Sequence, residues 1–466
     1  MRVTKRGGFL LSLLTGLSMV LSACGGDNPT ATPIAPTATT MVEQATATTM
    51  DEATATPGTT GATGEISFQV FGDPPELAAF QAVAKGFETA NPGAKVNIIH
   101  IPAQGDHMTK LSSSFAAGNP PDVFIINYRR YGQFAAKGVI EPAGPLMAKS
   151  TLIKEADYYP QVLDAFRYKG TLMCVPQNIS NLVVYYNKDM FTKANVAMPT
   201  SDWTWNDFLT AAQALTKDND GDGVIDQYGV GVETQLIRVA PFVWGNGGEI
   251  VDNYDKPTTL TLDTPEARDA VQFFIDLQVT HKVAPSEAEA TAEDAETRFM
   301  NNRLGMVLNS RAATPTFREI KGFEWDVAPI PMQKQKSTIL HSDAYCMAAA
   351  SPPERKALAW QFVEYAQGKE GQTIAARLGR TVPSRMDVAQ SDAFLDPTKS
   401  PASSQVFLDM IPHMRLIPII STWPQVETVV NEELERAFYN LVPLDQAIKQ
   451  ATEDTKPLFA EAETAK

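Results

Sequence analysis

Apolar and polar residues follow a regular pattern along the chain from residue 65 onwards. The segment EISFQVFG at 65–72 alternates apolar and polar residues, which is typical of a half-buried strand. The next segment predicts a helix, because its apolar side chains recur every three or four positions: Leu77, Phe80, Val83, Ala84 and Phe87. A strand at KVNIIHI, a helix over 107–117 and a strand at DVFII follow. This order predicts an α/β fold with parallel strands and crossover helices.

Polar residues follow the first and third predicted strands. Gly72 and Asp73 come directly after the first strand, and residues 127–130, NYRR, come after the third. In parallel α/β sheets, ligands bind beyond the carboxyl ends of the strands. We therefore expect a ligand site bounded by these two segments.

The first 24 residues have a different pattern. Arg2, Lys5 and Arg6 precede an unbroken run of apolar and small residues over 9–23. This run is shorter than the roughly 20 apolar residues that span a bilayer, so it predicts an export signal. It ends in LSAC at 21–24, which resembles the cleavage box of bacterial lipoproteins, in which the cysteine becomes the lipidated N-terminus.

We therefore expect residues 1–23 to be a signal peptide and Cys24 to carry the lipid. An ordinary secretory peptide with an incidental cysteine is the alternative. The rest of 24–64 is Thr, Ala and Pro with few large apolar residues, so it predicts a disordered linker. Together these features predict an exported chain, attached by its lipid alone to the outer face of the cytoplasmic membrane, at the cell surface or in the periplasm.

Composition and charge exclude several classes of protein. The 466 residues include 39 basic and 54 acidic side chains, for a net charge of −15. Removal of residues 1–23 takes away three positive charges and leaves about −18 (−15 − 3). That balance argues against nucleic acid as a partner, because binding to a phosphate backbone relies on clustered Lys and Arg. With 44% hydrophobic residues the chain is typical of a globular protein, and we expect a monomer.

Four segments, in order, resemble the extracellular solute-binding proteins of ABC importers, in the branch that contains maltose- and multiple-sugar-binding proteins. They are FQVFGDPPELAAFQAVAKGFETANPGAKV, GNPPDVFIIN, VVYYNKDMF and DWTWNDFLTAAQALT. The resemblance runs from residue 65 to about 460. It implies a substrate-capture protein that binds a mono- or oligosaccharide and delivers it to the transmembrane permease.

The resemblance also implies a two-lobe fold, the type II periplasmic-binding-protein fold. Each lobe would be a mostly parallel sheet flanked by helices, with the ligand cleft at the hinge. Crossing segments would fall near 178–182 and 342–344, with a third after about 400. One lobe would then hold 65–178 and 345–400, and the other 182–341 and 401–466.

Enzymes are the competing class. None of the five histidines lies in an HExxH helix or beside a GxSxG elbow, and no phosphate-binding or dinucleotide-binding loop is present. We therefore expect that no cofactor is required, apart from the possible structural calcium considered below. Carboxylates are plentiful, so a surface carbohydrate-active enzyme stays open as an alternative.

A sugar site needs aromatic platforms and planar polar groups. By resemblance, Trp244 faces the cleft, and Trp423 lies where the maltose-binding branch has a sugar-stacking aromatic; ordinary core packing is the alternative for both. The polar candidates are Asp73, Asn127, Arg129, Arg130, Asn178, Asn309, Arg311 and Asp343. Their alternative role is to cap helices or to form turns.

The chain departs from the family at NSRAATP, residues 309–315. The family often places an aromatic just after this turn, whereas this chain has Arg311 followed by two alanines. An arginine pairs with carboxylates and phosphates. Arg311 therefore keeps open an anionic solute, such as a glycerol phosphate ester or an acidic sugar.

The segment DNDGDGVID places four carboxylates at positions one, three, five and nine of a calcium-loop pattern, with Gly223 at six: Asp218, Asp220, Asp222 and Asp226. Position twelve is Gly229, so the usual closing glutamate is missing. A structural calcium site and an exposed acidic turn are the two interpretations.

Cys174 and Cys346 both flank the expected crossing segments. In the fold that the resemblance implies, these segments are neighbouring strands, so an exported chain could join the two cysteines in a disulfide. Two buried free thiols are the alternative.

Overall fold

A computed structural model describes residues 63–462. The predicted signal peptide, the predicted lipidation site Cys24 and nearly all of the predicted linker lie outside these residues. The described part begins with a strand at Thr63, two residues before the predicted start of the folded chain.

The strands of the described residues are β1 (Thr63–Val70), β2 (Gly93–His100), β3 (Val123–Asn127), β4 (Ile140–Glu141), β5 (Arg167–Tyr168), β6 (Thr171–Leu172), β7 (Val175–Pro176), β8 (Ser180–Asn181), β9 (Val183–Asn187), β10 (Tyr228–Gly231), β11 (Leu304–Asn309), β12 (Trp325–Ala328), β13 (Thr338–His341), β14 (Asp343–Ala348) and β15 (Met414–Arg415).

The helices are α1 (Pro74–Ala90), α2 (Gln104–Ala116), α3 (Tyr128–Ala136), α4 (Gly144–Met147), α5 (Pro160–Asp164), α6 (Lys188–Lys193), α7 (Trp205–Leu215), α8 (Leu236–Gly245), α9 (Pro265–Val279), α10 (Glu287–Ala292), α11 (Ala295–Met300), α12 (Thr314–Phe317), α13 (Pro353–Gln367), α14 (Lys369–Arg377), α15 (Met386–Ala389), α16 (Gln405–Asp409), α17 (Trp423–Phe438) and α18 (Leu444–Glu461). Three short 3₁₀ turns lie at Glu155–Asp157, Arg311–Ala313 and Ile411–His413.

The predicted strands and helices of residues 65–127 are confirmed. The apolar pattern predicts the observed order β1, α1, β2, α2 and β3. Each boundary that the pattern predicts lies within three residues of the observed boundary. α1 begins where expected, because the Asp73 carboxylate accepts a hydrogen bond from the Glu76 backbone N–H at 2.9 Å and caps the helix.

Two main sheets and a small connecting sheet organise the described chain. The first sheet has the order β2-β1-β3-β14-β4, with β7 also paired to β14, and the second has the order β10-β11-β9-β12. The connecting sheet has the order β15-β13-β8. We call the first sheet with α1, α13 and α14 the first lobe, and the second sheet with α7 and α11 the second lobe, because these helices pack on those sheets or on each other.

The predicted mostly parallel sheets are wrong in detail, because both main sheets are mixed. β1 is parallel to β2 and β3, but β14 is antiparallel to β3, β4 and β7. In the second sheet, β10 and β11 are parallel and β9 is antiparallel to its neighbours. The crossing strands cause this: β14 starts beside the carboxyl end of β3, where Asp343 pairs with Asn127, and so must run the opposite way.

Aromatic side chains fill the core beside the first sheet. Phe68 of β1 contacts Phe80 of α1, Tyr345 of β14 and Phe362 of α13, with ring centroids 5.1–5.6 Å apart. Each such ring contributes about 1.5–3 kcal/mol by leaving water. This packing fixes the sheet whose strand ends carry the polar residues described below.

α17 links the two lobes. It packs against α18, against α8 and α9, which lie between β10 and β11 in the chain, and against α3, which follows β3. Among residues 63–462, no helix is long and apolar enough to cross a membrane.

Cys174 and Cys346 form a disulfide, with their Cα atoms 4.6 Å apart. Cys174 precedes β7 and Cys346 lies in β14, and these two strands are paired in the first sheet. Every strand of the second sheet lies between the two cysteines in the chain. The bond therefore ties together the two points at which the chain leaves and re-enters the first lobe.

Candidate ligand-binding cleft

Three of the predicted polar residues meet where the first sheet joins the connecting sheet. The Asn127 side chain donates to an Asp343 carboxylate oxygen at 3.1 Å, and the Asp343 backbone N–H donates to the Asn178 side chain at 2.7 Å. Asn127 ends β3 and Asp343 begins β14, and the two residues pair directly across these neighbouring strands. Burial raises the pKa of the Asp343 carboxyl, although Asn127 and nearby arginines oppose this.

Asp73 lies in a cluster that sequence reasoning did not foresee. Arg380 contacts Asp73 at 3.0 Å and Glu76 at 2.7 Å. Burial raises the pKa of the Glu76 carboxyl to about 7, against the lowering effect of Arg380. Glu76 lies on the apolar face of α1. A carboxylate at such a position is the feature of the sequence that could have indicated an unusual environment for this side chain.

Arg129 connects the first lobe to α17. Its guanidinium forms an ion pair with Glu427, and its Nε donates to the Asn127 side chain at 3.2 Å. Both partners of the ion pair are largely buried. Burial lowers the pKa of the neighbouring Arg130, and the charge of Arg129 lowers it further. The sequence predicted Arg129 and Arg130 but not Glu427, which lies one helical turn after Trp423.

His341 and Arg238 extend this polar region towards the second lobe. His341 ends β13 and is partly buried, and burial lowers the pKa of its imidazole well below the usual value, with the charges of Arg238 and Arg129 acting in the same direction. The imidazole is therefore neutral at pH 7. Arg238 pairs with Glu233 at 2.9 Å. His341 directly precedes the predicted crossing segment at 342–344. This position could have identified it as a candidate site residue, but the sequence analysis did not include it.

The groups just described carry buried polar atoms without a hydrogen-bond partner among residues 63–462. These atoms are Arg130 Nε, Arg238 Nη1, His341 Nε2, Arg380 Nε, Trp423 Nε1 and Glu427 Oε2. Each unsatisfied buried group costs about 1–3 kcal/mol, and most native proteins leave few of them. A concentration of such atoms around one cleft is what a binding site for a polar ligand requires.

A cavity of about 310 Å³ adjoins the cleft on the side of the second lobe. Its wall includes Glu233, which pairs with Arg238, and Arg298, whose Nε and Nη1 also lack a partner in the described chain. Asn431 and Glu435 of α17 line it as well. They follow Glu427 at intervals of four residues, so one face of α17 runs from the cleft to this cavity.

Trp423 and Trp244 have different surroundings. Trp423 begins α17, and its buried Nε1 has no partner among residues 63–462. Trp244 is fully buried, and its Nε1 donates to the Tyr254 hydroxyl at 2.7 Å. Arg415 lies 5.0 Å from the centroid of the Trp244 ring. The expectation that Trp244 faces the cleft is therefore not met, because Tyr254 and Arg415 cover it.

Arg311 is anchored inside the protein. Its guanidinium lies 4.8 Å from the ring of Phe394, and its Nε and Nη1 donate to Gly379 O at 2.9 Å and to the Ser404 hydroxyl at 3.0 Å. Burial lowers its pKa to about 9. Protein groups already take up its hydrogen bonds, so this geometry gives no support to Arg311 as an anchor for an anionic solute.

Asn309 lies on the second-lobe side of the cleft. Its side chain donates to Glu296 at 2.6 Å, and burial raises the pKa of the Glu296 carboxyl. The charges of Glu233 and Arg238 also act on Glu296, so Asn309 belongs to the part of the cleft that borders the cavity.

Three of the four predicted calcium ligands come together. Asp218, Asp220 and Asp222 each bring one carboxylate oxygen within 4.8 Å of the others, whereas Asp226 is not part of this group. The Asp226 carboxylate instead accepts a hydrogen bond from the Asn219 backbone N–H at 2.7 Å. Asp218 likewise accepts from two backbone N–H groups of its own loop. Calcium binding at this loop stays a prediction of the sequence.

Two α/β lobes, joined by crossing strands and separated by a polar cleft at the strand ends, define the class of two-lobed solute-binding proteins. Residues 72–373 match the model of the family "bacterial extracellular solute-binding protein", and the chain belongs to this family. The family and the type II fold predicted from the sequence are thereby confirmed.

Several known proteins are similar to this chain. A putative binding protein of Brucella abortus is 25% identical over 382 residues, covering 80% of this chain and 87% of its own. A maltotriose-binding protein of Pyrococcus abyssi is 24% identical, covering 63% of this chain and 60% of its own. An ABC substrate-binding protein of Listeria monocytogenes, solved in complex with cycloalternan, has a TM-score of 0.78 and 27% identity, covering 85% of this chain and 99% of its own.

Proposed function

We propose that the chain captures a neutral sugar in the cleft between its lobes and delivers it to the permease of an ABC importer. The single observation that carries this proposal is the set of unpartnered buried atoms around the cleft. The set includes donors, such as Trp423 Nε1 and Arg130 Nε, and an acceptor, Glu427 Oε2. A sugar hydroxyl both donates and accepts hydrogen bonds, so it fits such a mixed set.

The charges of the cleft favour a neutral solute over an anionic one. Arg129 pairs with Glu427, Arg238 with Glu233, and Arg380 with both Asp73 and Glu76. An anion would have to compete with these carboxylates for the arginines and would be repelled by them. The named ligands of the Pyrococcus and Listeria proteins, maltotriose and cycloalternan, also support a sugar.

The cavity beside the cleft favours an oligosaccharide. Its volume of about 310 Å³ is at the lower end of the range for small-molecule sites. Carboxylates, two amides and Arg298 line it, and the α17 face that begins at Trp423 connects it to the cleft. A second sugar unit of a bound chain would occupy this space.

Binding and release involve no covalent step in this proposal. A solute that contacts both lobes stabilises the closed form by its higher affinity for that form, and the closed form then docks on the permease. Lipidation at Cys24 would anchor the exported, monomeric protein to the membrane. The linker up to residue 64 would keep the folded part near the membrane surface. A surface carbohydrate-active enzyme is the alternative, and it would consume the sugar that it binds.

The test is thermal unfolding of the full chain against a panel of neutral oligosaccharides, sugar acids and glycerol phosphates. A ligand that binds only the native state stabilises it by about 2.7 kcal/mol at a hundredfold excess over Kd. We expect at least one neutral oligosaccharide to raise the melting temperature and to be recovered unchanged. A shift with anions alone would contradict the neutral-sugar proposal, and cleavage of the sugar would contradict the binding-protein assignment.

A further inference from the structure

Arg298 is the most deeply buried charged side chain on the wall of the cavity beside the cleft. Its side chain is 3% exposed, and its Nη2 donates to Glu289 O at 2.9 Å and lies 3.5 Å from the Glu293 carboxylate. The guanidinium carbon lies 5.7 Å from the centroid of the Tyr228 ring. These contacts hold the group in place, yet Nε and Nη1 have no partner among residues 63–462. Two donors of one buried cation therefore need an acceptor that the described chain does not supply.

The charges around Arg298 restrict the chemistry of this acceptor. Glu233, Glu293 and Asp294 line the same cavity, so a carboxylate or phosphate would meet three groups of its own charge. An ammonium group would meet the buried guanidinium and has no lone pair to offer it. A hydroxyl oxygen accepts from Arg298, and the hydroxyl hydrogen can be donated to a carboxylate. The lining therefore fits a neutral unit that carries several hydroxyl groups.

Two elements connect the cavity to the cleft. Glu233 on the cavity wall pairs with Arg238 at 2.9 Å, and the charge of Arg238 acts on His341 at the end of β13. On α17, Glu427 lies in the cleft and Glu435 lies at the cavity. Eight helical positions (435 − 427) separate these two glutamates, which corresponds to about 12 Å along the helix axis. A single sugar ring is shorter than this distance, so only a chain of sugars can contact both ends.

The structure assigns Arg298 as a specificity-determining residue, the anchor of a second subsite that selects oligosaccharides over the monosaccharides of which they consist. We define this second subsite by Arg298, Asn431 and Glu435. One sugar unit lies at Glu427 in the cleft, and a later unit of the same chain accepts hydrogen bonds from Arg298. The Asn431 side-chain oxygen accepts from the Leu236 backbone N–H at 2.7 Å, which leaves its NH₂ group as a further donor to that unit. This inference rests on the proposed sugar capture and adds which residues decide the chain length.

The test compares the binding of long and short sugars to the same variants by calorimetric titration of the full chain. The sugars are maltotriose, cellotriose, mannotriose and xylotriose, each measured beside its own monosaccharide. Arg298→Met removes the donors but keeps a long, unbranched side chain. Its matched control is Arg268→Met, which removes a partly exposed arginine of α9 that pairs with Asp445 outside the cavity.

We expect Arg298→Met to weaken trisaccharide binding about tenfold, the effect of losing one hydrogen bond from a charged donor. Monosaccharide binding should be unchanged, and Arg268→Met should bind both sugars as the wild type does. A purely structural role of Arg298 would weaken both sugars equally. An equal loss for both sugars, no loss at all, or a wild type that prefers the monosaccharide would therefore overturn the second subsite.

A second variant covers the case in which Arg298→Met does not fold. Glu435→Ala changes an exposed side chain at the rim of the cavity, so the fold does not depend on it. The same selective loss of trisaccharide binding is expected, and its absence would overturn the second subsite. If none of these sugars binds to the wild type, the proposed sugar capture fails and the second subsite fails with it. Binding to the wild type without a selective loss in the variants refutes the second subsite alone.

Discussion

Glu76→Gln is the substitution for which the structure gives the most specific expectation. Glu76 is buried at the first turn of α1, beside Arg380, Asp343 and Asp73. Its carboxyl has a pKa of about 7 in the folded protein, against 4.5 for the ordinary group. Between these two values the folded chain keeps a proton that the unfolded chain has released. The free energy of unfolding therefore falls as the pH rises from 4.5 to 7, and above pH 7 the contribution is constant.

The size of this contribution follows from the two pKa values. The difference between about 7 and 4.5 corresponds to about 3 kcal/mol, at about 1.4 kcal/mol for each factor of ten. Glutamine keeps the shape of the side chain and still accepts from Arg380, but it cannot ionise. In the wild type this group lowers the free energy of unfolding by about 3 kcal/mol as the pH rises from 4.5 to 7. We expect this fall to be absent from the variant.

Urea unfolding at several pH values measures this effect as the difference between variant and wild type, so that all other titrating groups cancel. Glu65→Gln is the matched control, because Glu65 is an exposed glutamate on β1 of the same lobe. It should leave the pH dependence of the wild type unchanged. Equal pH dependence in Glu76→Gln and the wild type would refute the assignment of a buried, partly neutral carboxyl to this position.

Three further predictions concern stability and binding. Replacing both Cys174 and Cys346 by Ser should lower the free energy of unfolding by up to about 5 kcal/mol, because the bond closes a loop of 172 residues; equal urea midpoints with and without the bond would contradict this. Trp423→Phe should weaken sugar binding about tenfold in a calorimetric titration by removing the Nε1 donor, whereas the control Trp360→Phe on α13 should not; equal affinities would remove Trp423 from the site. Arg311→Met should lower the melting temperature without changing which solutes shift it; selective loss of binding to anionic solutes would instead restore Arg311 as an anion anchor.

The sequence predicts the parts of the fold and site that follow from local pattern. Asp73 and Asn127 were identified because they follow predicted strands, and the carboxyl ends of parallel strands share an edge of the sheet. The mixed direction of the sheets was missed, since β14 and β9 enter from the hinge and their direction depends on where the chain crosses. Local periodicity carries no information about such crossings.

Partners that are distant in sequence explain the remaining differences. Glu427 and Arg380 reach the cleft from α17 and from the segment after α14, about 300 residues away from Arg129 and Glu76. Nothing in the spacing of charges pairs such residues. Trp244 was expected at the cleft by resemblance to the family, but the resemblance could not show that Tyr254 and Arg415 would cover its ring.

The most direct test of the proposed function is a calorimetric titration of the full chain with a panel of neutral oligosaccharides that includes maltotriose. It compares the wild type with Glu427→Gln and with Glu432→Gln, an exposed position on the same helix. We predict saturable binding of at least one oligosaccharide to the wild type and to Glu432→Gln, and a loss of at least about tenfold in affinity for Glu427→Gln. Binding of no oligosaccharide, or equal binding to all three proteins, would contradict a neutral-sugar site at this cleft.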